Sequence, residues 1–146
     1  SLTEDEMPES MIPLACLGHL ACERENRLIS CRQFPFFPYV SSDYEFLGLA
    51  YDHSFEETCW VISNLAKVSA AYRQQFVHTF DQLFSLFQDE FESYARRSAE
   101  MRDAFLAQEH EFAIILREGG FGKIDPRTED IQPVRAEELP RFGVYA

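Results

Sequence analysis

The chain has 146 residues, 46% hydrophobic and 14% aromatic, which is enough for one domain with a substantial core and too much for a disordered segment. Its 25 acids against 13 bases give a formal charge of -12, a field that a phosphate backbone repels, so nucleic-acid binding is not expected. Four cysteines without a disulfide-dense spacing suit a reducing, cytoplasmic compartment, and no apolar run reaches the roughly eighteen residues of a membrane span.

In chain order, residues 1–10 are acidic and read as a mobile start; a chain beginning on serine is expected to have been processed or excised. The apolar run 11–22 follows Glu4, Asp5, Glu6 and Glu9 instead of a basic segment, which argues against a secretory signal. Pro13 suits a first helical position, and Leu14, Leu17, Leu20, Ala21 and Leu28 predict a short helix to about Ile29. This stretch holds the one set of metal-like residues, Cys16, His19, Cys22 and then Cys31. The residue types suit zinc, but on a continuous helix Cys22 lies about 9 Å along the axis from Cys16, too far for a shared ligand sphere. They are weak metal candidates beside the plainer reading of cysteine as a small buried hydrophobe. No cofactor is expected.

Residues 32–40 read Arg-Gln-Phe-Pro-Phe-Phe-Pro-Tyr-Val, and prolines at 35 and 38 exclude a helix in favour of extended geometry. Phe36, Phe37 and Tyr39 are expected either to close the core or to form an aromatic docking surface. Ser42 with Glu45 looks like a capping box, predicting a short helix limited by Gly48.

Residues 49–118 contain neither proline nor glycine. From Phe55 through Phe76, Phe80, Phe87, Phe91 and Phe105 to Ile115, residues recur in steps of three or four, the spacing of one helix face. Ser54 with Glu57 suggests a cap at the start, and Gly119 and Gly120 a left-handed cap after Glu118. One helix of that length would extend about 90 Å, so either a single long helix or an antiparallel hairpin is expected, with Ser63-Asn64 and Gln88-Asp89 as the soft points. The apolar face is widest around Phe76, Phe80, Phe84, Phe87 and Phe91, which are the expected interaction residues.

No constellation of nucleophile, base and orienting group stands out, so no catalytic residue is assigned. His53 beside Glu56 and Glu57, and His78 near Asp81, read as solvated or capping pairs. Gly119, Gly120, Gly122 and Lys123 do not have the spacing of a phosphate-binding loop. Residues 121–146, with Pro126, Pro133 and Pro140, read as an extended tail on a helical domain of residues 1–120.

The sequence therefore predicts an all-α protein, a helical bundle or coiled-coil-like hairpin with a tail. The expected role is a non-enzymatic protein–protein interaction or assembly module, a homo-oligomer or a complex subunit. The alternatives are an acidic inhibitor, immunity-type or nucleic-acid-mimic protein with a basic target, and a small helical enzyme or ligand carrier.

Overall fold

A computed structural model describes residues 21, 23, 25 and 27–146. The chain divides into two compact units, Ser1–Arg32 and Gln33–Ala146. The described residues of the first lead into a short helix, α1 (Ile29–Gln33), whose last residue begins the second, and the Arg32 side chain donates to the carbonyls of Arg27 (3.0 Å) and Glu25 (2.9 Å). The helix expected from Pro13 lies largely outside the described residues, as do Cys16, His19 and Cys22.

The second unit is a mixed α/β structure built on a five-stranded antiparallel sheet, which corrects the all-α, bundle and coiled-coil expectation. The strands are β1 (Phe36–Val40), β2 (Phe46–Tyr51), β3 (Phe112–Leu116), β4 (Phe121–Ile124) and β5 (Ile131–Val134), in sheet order β1-β2-β3-β4-β5. Between β2 and β3 come 3₁₀ turns at His53–Phe55 and Ile62–Lys67, then helices α2 (Ala70–Leu86) and α3 (Gln88–Ala107). Among the described residues no helix is long and apolar enough to cross a membrane.

The expected continuous helix fails at both ends for identifiable reasons. Residues 112–116, Phe-Ala-Ile-Ile-Leu, are apolar without interruption and form an interior strand whose neighbours are β2 and β4. Such a strand lacks the alternation that distinguishes sheet from helix. Gly119 and Gly120, with φ of 114° and 79°, turn the chain from β3 into β4; they are a hairpin turn, not a helix cap. At the other end Asp52, not Ser54, caps the first 3₁₀ turn, its carboxylate accepting from the Ser54 amide. The supposed tail supplies β4 and β5. The supposed helix after Ser42 is the β1–β2 hairpin, and Gly48 there serves sheet packing: a Cβ at that position would lie 2.0 Å from the Ile115 carbonyl oxygen, so only glycine lets β2 and β3 approach.

Within 70–107 the helical spacing is real, and it serves the sheet. From α2, Tyr72 meets Phe36, while Phe80 and Phe84 meet Phe46. From α3, Phe105 stacks on Phe112 at 5.1 Å, and Arg97 lies over the Phe37 ring at 4.3 Å. The buried Ser98 hydroxyl accepts the Val40 amide at 2.9 Å and donates to the Tyr94 carbonyl, so α3 shields the outer edge of β1. At the opposite edge Pro133 interrupts β5, a position tolerated where the missing N–H would have faced outward. Arg117 braces α2 to the sheet by pairing with Asp81 at 2.7 Å and donating to the Phe46 carbonyl. Among the described residues every buried side-chain nitrogen and oxygen has a hydrogen-bond partner.

Candidate protein-interaction surface

The surface is assembled from the β1–β2 hairpin tip and the junction of α2 with α3. At the tip, Ser41 and Glu45 close the turn: the Ser41 amide donates to the Glu45 carbonyl at 2.9 Å, and the Ser41 hydroxyl accepts the Glu45 amide at 3.2 Å. Tyr44 is left with φ of 60°, a conformation that costs a non-glycine residue on the order of 1 kcal/mol and needs outside support.

Glu129 supplies part of that support from the β4–β5 turn, itself at φ 60°. Its carboxylate accepts from the Tyr39 hydroxyl at 2.8 Å, from the Ser42 amide at 3.2 Å and from the Ser42 hydroxyl, and it pairs with Arg102 of α3 at 2.9 Å. Burial would raise the Glu129 carboxyl, but the Ser42 and Tyr39 hydrogen bonds, the Ser42 amide and the Arg102 charge outweigh it and hold it below its ordinary value. The buried Tyr39 hydroxyl is pushed well above its ordinary range, chiefly by desolvation, so it stays a neutral donor. Hairpin, sheet and α3 are thus tied at one point, and the tip presents Tyr44 with 64% of its surface exposed.

Beside the tip the helix breaks. Phe87 has φ -132° and ψ 97°, ending α2 and starting α3 without proline or glycine. The break is held by rings on either side: Phe84 meets Phe91 at 5.0 Å, Phe80 meets Tyr94 at 5.4 Å, and Phe91 reaches Tyr44 at 6.2 Å. Asp89 and Glu90 in the first turn of α3 favour its positive end. Leu86 and Phe87 pack outward, 73% and 55% exposed.

Tyr44 stands exposed against half-buried Phe91, and Leu86 and Phe87 are exposed at the break one turn earlier in the chain. Asp43 and Glu45 flank Tyr44 in sequence, and Asp89, Glu90 and Glu92 follow Phe87; all five are exposed. Between the hairpin tip and α3 runs an open groove of about 450 Å³, lined by Ser41, Ser42, Tyr44, Glu92, Ala95, Arg96, Ala99 and Arg102. The arrangement is an apolar knuckle with a predominantly acidic rim.

The residues expected to interact divide sharply. Phe36, Phe37 and Tyr39 are 3%, 2% and 0% exposed, and Phe76 and Phe80 are buried as well; these five belong to the core and are out of a partner's reach. Phe84 and Phe91 are half-buried and Phe87 is exposed, so these three lie at the knuckle. Sequence reasoning missed Tyr44 and Leu86. For Tyr44 a signal existed, since an aromatic between two acids is a poor core candidate.

Among the described residues the remaining candidates do not converge. Cys31 is exposed on α1, and among the described residues no three His, Cys, Asp or Glu side chains are placed to hold a metal ion. Asp81, expected near His78, pairs with Arg117. Glu56 accepts a long hydrogen bond from Tyr51 at 3.4 Å; burial raises its carboxyl, against the lowering effects of His53, Tyr51 and His110. The His53 ring packs edge-on against Phe105 at 5.6 Å. Compared with models of known protein families, with curated proteins and with solved structures, the chain matches none.

Proposed function

We propose that the protein is a non-enzymatic interaction module that docks a basic protein partner on the knuckle formed by Tyr44, Leu86 and Phe87. The observation that carries this reading is the coincidence of exposed apolar side chains with five exposed carboxylates at a site whose backbone is otherwise tightly pinned.

Magnitudes define the partner. Covering the three side chains would remove on the order of 300 Å² of apolar surface, about 7 kcal/mol gross, comparable with the roughly 4–15 kcal/mol of lost rigid-body freedom on association. Hydrophobic contact alone gives weak binding, so the acidic rim must add attraction and specificity. A two-fold homodimer through this face would set the same carboxylates against one another, which favours a foreign basic chain over a second copy. The module is thus read as a complex subunit. A cytoplasmic location belongs to the same proposal, supported by the free thiols of Cys31 and Cys59.

The test is titration of isotopically labelled protein with a synthetic amphipathic helix of lysine and leucine, followed by amide chemical shifts. Shifts centred on residues 43–45 and 86–92 are expected, with affinity falling at least tenfold in the L86S/F87S variant and steeply with salt. Shifts spread evenly over all acidic surfaces, or unchanged affinity in the double variant, would refute the assignment.

A further inference from the structure

A second concavity lies elsewhere in the unit of residues 33–146. Phe34, Phe36, Trp60 and Tyr72 wall a pocket of about 320 Å³, with Val61 and Val68 among its lining, a volume at the lower end of the range that holds small organic ligands. Phe34 and Trp60 are 52% and 48% exposed, so two large rings border the pocket half in water. Among the described residues its one charged lining residue is Lys67, an exposed lysine in a chain that carries only two. Ser69, the N-cap of the seventeen-residue helix α2, also lines it, and its hydroxyl is engaged by the Tyr72 amide. The first-turn amides at Ala70 and Ala71 have no carbonyl partner within the helix, so the positive end of α2 borders the same pocket as Lys67.

We infer that this pocket binds a small aromatic carboxylate, with the ring between Trp60 and Tyr72 and the carboxylate toward Lys67 and the start of α2. Flat aromatic walls select a flat apolar body. The local positive charge selects an anion, and it does so against the field of a protein whose net charge is -12. This site is separate from the knuckle and does not depend on it.

Trp60 is the only tryptophan in the chain, so emission excited beyond the absorption band of the six tyrosines reports on this pocket. The experiment titrates the whole chain with 4-phenylbutanoate and, separately, with its uncharged amide. A saturable change in Trp60 emission is expected, with the carboxylate binding at least about fivefold more tightly than the amide. Lys67→Met keeps the aliphatic stem at an exposed position and should weaken that preference at least about twofold while leaving amide binding in place. No saturation by either compound at millimolar concentration would overturn the site. Equal affinity for both in the unaltered protein, or a preference undiminished in Lys67→Met, would overturn the anion assignment. A Trp60 shift that follows protein concentration and is accompanied by dimer formation would give the groove to a second copy and likewise overturn the proposal.

Discussion

Two segments of this chain, each with three phenylalanines, have opposite fates. Residues 34–40, Phe-Pro-Phe-Phe-Pro-Tyr-Val, enter the sheet, and everything from Phe36 onward is buried; residues 84–91, Phe-Ser-Leu-Phe-Gln-Asp-Glu-Phe, straddle a helix break and leave Leu86 and Phe87 in water. In the first segment β2 holds the backbone and α3 covers the free edge, so both faces and one margin are enclosed. In the second, Phe84 and Phe91 turn inward to each other, and the reversal at Phe87 leaves that ring with no layer above it. Burial here follows what the backbone pairs with as well as how apolar the segment is.

That contrast can be broken most severely from the buried side. Phe37→Ala removes a 2%-exposed ring packed under Arg97 and should cost about 3–5 kcal/mol, read as a lowered denaturant midpoint at unchanged slope. A loss under 1 kcal/mol would mean that the sheet core is not closed as described.

Glu129→Gln tests the tie between the two segments, since Glu129 joins Tyr39 of the first to the hairpin tip that supports the second. Losing its charge should cost about 1–2 kcal/mol at neutral pH. Because the folded carboxyl titrates below its ordinary 4.5, the unfolded chain binds more protons between the two values. Its contribution is therefore complete above about 4.5 and disappears as pH falls through the folded value, so the variant and parent stability curves should converge on acidification. Curves that stay parallel from pH 7 down to pH 2 would remove Glu129 from this role.

The smallest effect is expected at the exposed side. Phe87→Ala should change stability by no more than about 0.5 kcal/mol, since the side chain is 55% exposed, while reducing affinity for the basic helix. A large loss of stability would show that Phe87 holds the break together and is structural.

The contrast also explains how far the sequence could be read. Pro35 and Pro38 made 34–40 legible as extended chain, and the three-and-four spacing correctly marks 70–107 as helical. The same spacing ran on into 112–116 because Phe112 and Ile115 happen to be three apart, although Ile114-Ile115 ahead of Gly119-Gly120 is a strand-and-turn signal. For the candidate surface, Phe80, Phe84, Phe87 and Phe91 are equivalent members of one stripe on paper. Only the local dihedral reversal separates those that face the core from the one that does not; the polar pair Gln88-Asp89 marks the soft point beside it, but nothing in the stripe says which ring is turned out. Tyr44 was hidden differently: serine and glutamate three apart look alike at a helix start and in a hairpin tip.

The two margins of the sheet have a consequence of their own. At one, the serine hydroxyl of α3 occupies an amide that an incoming strand would need; at the other, an imide nitrogen stands where a donor would be. Ladder growth by recruitment of further chains is discouraged from either side, which suits a protein that must keep greasy side chains in water at its knuckle without polymerising through its β-structure.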